Sequence, residues 1–300
     1  MTAVVFAVVA AAVIGAPRIS IHPEAPVQGD VVVVEISPTD DDVEDVGDVS
    51  LAVTSQGSTR ELPSFSRGAR RYALLGIDAE AKASKGTLTM KWSGGDVRVP
   101  LPVATKSFPT EKLKVEGKYV DPPADVTARI IAEKERLERL WRQTRGERLW
   151  SEAFRRPVDG VPISIFGLQR VFNGQRRSPH NGVDFKAAAG VRVAAANDGE
   201  VVIAEDLYFT GNTVVLDHGL GLYTVYAHLS EISVRPGDDV RAGSLIGKVG
   251  ATGRATGPHL HWGARLLEAR VDPMQLLGLR PLDLPERAQG SAEESDHGGR

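Results

Sequence analysis

From Arg18 onward the chain is written mainly in short β-prone runs cut by glycine, proline, aspartate and serine. Runs of this kind, spaced regularly and bounded by turn residues, point to strands joined by tight turns. At 31–36, 49–53, 71–77, 87–92 and 97–103 they predict an immunoglobulin-like β-sandwich occupying 17–104. At 191–194, 200–204, 213–216, 222–226 and 244–249 they predict a second, antiparallel-β domain over 160–280. One stretch breaks this texture. After Asp121-Pro122-Pro123, residues 126–145 carry Val126, Ile130, Leu137, Leu140 and Trp141 as a narrow apolar stripe at helical spacing, interrupted at Glu133 and Lys134. Glu135 and Arg139 stand at a favourable i,i+4 spacing, Gly146 is a natural stop, and the charge run reads as a solvated face. Residues 105–159 are therefore expected to form a linker with a connector α-helix. The predicted fold class is mainly β: a sandwich, a connector helix and an antiparallel-β domain.

Composition narrows the chemistry. Three hundred residues suffice for two cores. A net charge of -3 gives no basic footprint, so nucleic acid is not an expected partner. The absence of cysteine excludes disulfides, thiolate zinc ligands and thiol catalysis, and leaves His, Asp and Glu to hold any metal. The apolar run 3–14 is short for a membrane span and matches the apolar core of a signal peptide, with Gly15-Ala16 before Pro17 as a cleavage site. Its flank lacks Lys and Arg, a departure from the usual pattern. Residues 1–16 are read as a signal peptide, and the mature chain as exported to the periplasm or cell exterior with no transmembrane segment. The acidic cluster Asp40, Asp41, Asp42, Glu44, Asp45 and Asp48 lacks EF-hand spacing and reads as a solvated loop. Residues 281–300, with His297, read as a disordered polar tail.

Five of the seven histidines fall in the second β region. His180-Asn181-Gly182-Val183-Asp184 puts a His and an Asp four residues apart, able to share a face or converge across the Asn-Gly turn. Tyr226-Ala227-His228-Leu229 ends a predicted strand. His259-Leu260-His261 projects two imidazoles to one face if it is extended, with Leu260 turned the other way. A catalytic zinc site takes three protein ligands and keeps a position open for water. His180, Asp184 and one member of the H-x-H pair supply such a set; His228 and the other member are then left for proton transfer. No H-E-x-x-H helix is present to provide a glutamate base. A glycosidase reading needs two carboxylates, and Asp184 has no obvious partner nearby in sequence. Residues 234–243 have the texture of a biotinyl or lipoyl hairpin, but Lys248 lies beyond the tip where such domains present their lysine.

The order of these segments resembles the lysostaphin-type, or LytM-type, zinc metallopeptidases of peptidoglycan. The resemblance runs from Phe166 to Leu277. It is carried by Pro179-His180-Asn181-Gly182-Val183-Asp184-Phe185, Gly211-Asn212-Thr213-Val214, Asp217-His218-Gly219, Val225-Tyr226-Ala227-His228-Leu229-Ser230, Gly237-Asp238-Asp239-Val240, Gly247-Lys248-Val249-Gly250-Ala251-Thr252-Gly253 and the His259-Leu260-His261 stretch. It implies that His180, Asp184 and His261 bind one Zn2+ per chain and that His228 and His259 are the catalytic pair. It implies hydrolysis of peptide bonds in peptidoglycan stem peptides or cross-links. A cell-wall or division-machinery protein is a further expected partner. The alternative within the resemblance is a non-catalytic peptidoglycan-binding domain that activates another cell-wall hydrolase. Trp262-Gly263 departs from the pattern, in which many relatives place an aromatic residue and then Glu. His218 is expected to make a structural hydrogen bond and Tyr226 to sit in the core. Arg170 and Asn173 are candidates to line the cleft. Thr252, Arg254 and Thr256 either border it or serve the turns around Gly253 and Gly257.

Overall fold

The computed structural model describes residues 16–39 and 46–279, and the backbone of Val8–Val9. The expectations for the apolar run 3–14, for most of the acidic cluster and for the 281–300 tail fall outside the described residues. Among the described residues no helix is long and apolar enough to cross a membrane.

Two antiparallel sheets build the amino-terminal region. One runs in the spatial order Val8–Val9, Arg18–His22, Val31–Ser37, Arg70–Gly76, Ser64–Arg67. The other runs Ser58–Leu62, Ser50–Ser55, Ser84–Trp92, Gly95–Val103. Two neighbouring strands of the second sheet alternate: Leu88 and Met90 on one and Val97, Val99 and Leu101 on the other are buried, and the residues between them are more exposed. Val31–Ser37 is instead buried at every position but its last, as befits a strand covered on both faces. The Arg70–Gly76 strand beside it lies against His259–Leu266 and Ala269–Val271 of the carboxy-terminal sheet. Gly76 permits this approach, since a Cβ there would come within 2.8 Å of the Leu266 carbonyl oxygen. Gln275 ties the regions together, accepting from the Val31 N–H at 2.7 Å and donating to Asp30 at 2.6 Å.

The helix spans Ala124–Trp141 and stops short of the expected Gly146. Trp141 ends it by burying its ring edge-on against Tyr223, whose hydroxyl donates to the Gln143 carbonyl at 2.8 Å. The helix does not present a wholly solvated charged face. Glu133, which interrupts the apolar stripe, accepts from the Tyr208 N–H at 2.9 Å, and Arg129 and Arg136 pair with Asp206 and Glu205. The segment before the helix also carries a strand, Thr110–Leu113, which pairs in parallel with Gln169–Phe172.

The large carboxy-terminal sheet is ordered Val161–Ser164, Gly182–Lys186, His259–Leu266, Leu222–Ile232, Gly211–Asp217, Gly199–Leu207, Asp239–Val240. Its neighbouring strands are antiparallel. Leu260 and Trp262 point into the core and are fully buried. Each such side chain contributes about 1.5–3 kcal/mol of hydrophobic stabilisation, which fixes the face that His259 and His261 must occupy.

Candidate metal and catalytic site

Three adjacent strands deliver the polar residues. Asp184 lies directly opposite His261 across the antiparallel pair, and His261 lies opposite Ala227 on its other side. Opposed residues share a face, so Asp184, His261 and, two residues along, His259 all project to the same side. His180 precedes the Gly182–Lys186 strand and folds back over it. His180 Nε2 is 3.0 Å from Asp184 Oδ1 and 3.0 Å from His261 Nδ1, and His261 Nδ1 is 2.8 Å from Asp184 Oδ1. Gly182 makes room, because a Cβ there would stand 2.7 Å from the His261 ring.

Period-two alternation would send His228 to the opposite face from Ala227. It does not, because an extra residue is accommodated on the Leu222–Ile232 strand: Asn212 pairs with Leu229 but Val214 with Tyr226. His228 itself takes φ +62, an unusual value for a residue with a side chain. The strand therefore continues through His228 instead of ending there, and the bulge turns the imidazole toward the site. Its ring centroid is 4.8 Å from that of His259 and 6.0 Å from that of His261.

Outer hydrogen bonds fix the tautomers. His180 Nδ1 is 2.9 Å from the Ile165 carbonyl and 3.1 Å from the Ser164 hydroxyl. A carbonyl only accepts, so Nδ1 carries the proton and the bare lone pair of Nε2 faces Asp184 and His261. His228 Nδ1 donates to the Thr252 carbonyl and His259 Nδ1 to the Gly257 carbonyl, each at 2.8 Å, which frees both Nε2 atoms. His259 Nε2 is 3.9 Å from Asp184 Oδ1. Arg170 donates to the outer oxygen of Asp184, Oδ2, at 2.8 Å, and lies 3.6 Å from Glu111.

Electrostatics agree with a cation-binding cluster. Burial alone would raise the Asp184 pKa, but the His180 and His261 rings against it outweigh that and hold the carboxyl far below the usual range. Burial pushes His261 down to about 4, against the opposing pull of the Asp184 carboxylate. Burial, then the His261 and His259 charges, push His228 down to about 3. Both rings are thus neutral at pH 7, the form in which imidazole binds metal or accepts a proton. Two imidazole nitrogens and one carboxylate oxygen lie within 4.8 Å of one another. These buried atoms are close enough to hold a cation between them, and this nitrogen and oxygen donor set fits zinc.

Residues 178–273 match the peptidase family M23. Most of the chain matches the crystal structure of a Pseudomonas aeruginosa protein described as a peptidase M23, with a TM-score of 0.64 and 31% identity, covering 84% of this chain and 95% of that one. The chain belongs to peptidase family M23. Within this family, the chain is 47% identical over 88 residues to the Vibrio cholerae peptidoglycan DD-endopeptidase ShyA, covering 29% of this chain and 20% of that protein. It is 42% identical over 110 residues to the Neisseria meningitidis DD-carboxypeptidase/endopeptidase Mpg, covering 37% of this chain and 24% of that one. The alignments thus span a quarter or less of these curated relatives.

The expected residues divide cleanly. His180, Asp184, His228, His259 and His261 all converge. His218 stands apart, buried, bonded to the Asp198 carbonyl at 2.6 Å and the Thr224 hydroxyl at 2.7 Å. Tyr226 is fully buried, its hydroxyl accepting from the Ala196 N–H at 2.9 Å. Asn173 serves structure, bonding both backbone groups of Val115. Thr252 does both jobs its position suggests: its hydroxyl bonds Asn212 and Leu229 backbone groups, and its carbonyl holds His228. Ser164 and Glu111 were not singled out by the sequence, because neither stands in a motif and each reaches the site only through tertiary pairing.

Proposed function

We propose that this M23 protein is an exported zinc endopeptidase that hydrolyses peptide bonds in peptidoglycan stem peptides or cross-links. His180, Asp184 and His261 would hold the ion, with His228 and His259 as the catalytic pair. The observation that carries this reading is the convergence of three lone-pair donors next to two further imidazoles with free Nε2 atoms. The names of the Vibrio and Neisseria relatives support the substrate class. Zinc, when bound, supplies Lewis acidity and lowers the pKa of water. Arg170 orients Asp184 by holding Oδ2, so that Oδ1 faces His180 and His261. His228 and His259 share the proton work at Nε2: one takes a proton from the attacking water, and one returns a proton to the leaving amine nitrogen.

The deciding experiment measures zinc content and sacculus digestion together. Wild type should hold one zinc per chain and release peptides; His261→Ala should lose both; His259→Ala should keep zinc and lose digestion. Wild-type protein that binds zinc yet leaves sacculi intact would favour the non-catalytic activator instead. We also propose the division into a sandwich at 17–104, a linker at 105–159 and a peptidase domain at 160–280. A peptidase piece lacking 105–159 would lose Glu111 and the Thr110–Leu113 strand, so its activity against the full chain tests that boundary.

A further inference from the structure

Arg254 follows the loop residue Thr252, whose carbonyl holds His228. Its guanidinium lies over two aromatic rings, 4.8 Å from the centroid of Phe172 and 4.9 Å from that of Phe209. Arg170, which grips Asp184, lies 5.9 Å from the same Phe172 centroid. Arg254 is thus anchored beside the site through Phe172 on one side and the His228 loop on the other.

Two further guanidinium groups lie near it, Arg170 and Arg177. Arg170 is neutralised by Asp184 and Glu111. Arg177 bonds the Val120 carbonyl and the Gln175 amide oxygen, neither of them charged. Among the described residues no carboxylate and no hydrogen-bond acceptor pairs with the Arg254 guanidinium. Burial, then the Arg170 and Arg177 charges, lower its pKa to about 10, so it stays protonated at neutral pH. Aromatic stacking fixes the plane of a guanidinium but uses none of its N–H groups. A half-buried guanidinium packed against two rings, with its donors unspent, is suited to bidentate capture of a carboxylate.

We infer that Arg254 is the specificity-determining residue that receives a carboxylate carried by the substrate peptide next to the scissile bond. This rests on the endopeptidase reading and refines it. A direct cross-link through a diamino dicarboxylic acid places a free carboxylate beside the cleaved amide, whereas a lysine side chain or a polyglycine bridge has none there. The site is built for the first kind.

The test uses the full-length, zinc-loaded protein and two synthetic cross-linked peptides. They are identical except that the carboxyl group on the amine-side residue at the scissile bond is free in one and a carboxamide in the other. Binding to His259→Ala and turnover by wild type are both measured. Wild type should prefer the free acid by about 10- to 100-fold in kcat/KM, the range for a charge-assisted hydrogen bond. Arg254→Gln should lose that preference by weakening the acid alone, with zinc content unchanged, and Arg254→Lys should restore part of it. Equal cutting of both peptides by wild type, or equal losses on both in Arg254→Gln, would reduce Arg254 to a packing piece between two rings and overturn the inference alone. If neither peptide is bound or cut, the inference falls together with the endopeptidase reading.

Discussion

The amino-terminal sandwich and the carboxy-terminal sheet are made from similar short strands, but they bury polar groups differently. Among the described residues of the sandwich the buried polar ones are Ser20, Asp30 and Glu35, and the two acids are spent on holding the fold: Asp30 on the Val27 N–H and Gln275, Glu35 on Arg70. In the carboxy-terminal sheet His180, Asp184, His228 and His261 are buried in one cluster, with lone pairs turned on each other. Burying polar groups without protons enough to satisfy them costs stability. The contrast teaches that the second sheet holds an arrangement that a bound cation would relieve, while the first is a scaffold.

Substitutions test this contrast. The largest effect is expected from His261→Ala, which removes a central donor: sacculus digestion should fall by several orders of magnitude and zinc, read by metal analysis, should disappear. His259→Ala should slow digestion by about 10²- to 10⁴-fold, the range for a lost acid–base group, with zinc retained; a variant without zinc would move His259 into the ligand set. In the scaffold, Met90→Ala should cost about 2–5 kcal/mol in denaturant unfolding and leave the zinc dissociation constant of the folded protein unchanged. A weakened zinc site in that variant would erase the separation between the regions.

Buried His218 sharpens the comparison through pH. Burial lowers its pKa from 6.5 to about 4, so the unfolded chain takes up a proton first as pH falls. Its contribution is complete above pH 6.5 and is lost between 6.5 and 4, by about 3 kcal/mol. His218→Asn should therefore show a smaller loss of stability than wild type between pH 7.5 and 4.5, measured by urea unfolding. The mildest effect belongs to Arg170→Gln, where loss of the grip on Asp184 should weaken zinc binding by about 10- to 100-fold, read by competition with a chelator. Unchanged affinity would mean that Asp184 needs no such support.

Much of the site was legible in the sequence because its chemistry is local. H-x-H on a strand must put two imidazoles on one face, and Leu260 and Trp262 supply the apolar counter-face that sets which one. The sandwich strands were legible for the same reason, since alternation is written residue by residue. The helix end was not: Gly146 looked like the stop, but packing of Trp141 on Tyr223 ended the helix first. Nor did its charge pattern reveal that Glu133 would hold the Tyr208 N–H.

By itself, then, the sequence determined the donor types, their faces along each strand and the absence of any cysteine alternative. Tertiary structure alone decided the direction of His228, which breaks alternation at a bulge held by the Thr210 and Thr252 carbonyls. It alone brought Arg170 to Asp184 and Glu111 to Arg170, and packed Arg254 against Phe172 and Phe209. The physical reason is range. Alternation and spacing act between neighbours in the chain, whereas a bulge, an ion-pair relay and an aromatic clamp depend on registers set by strands far apart in sequence.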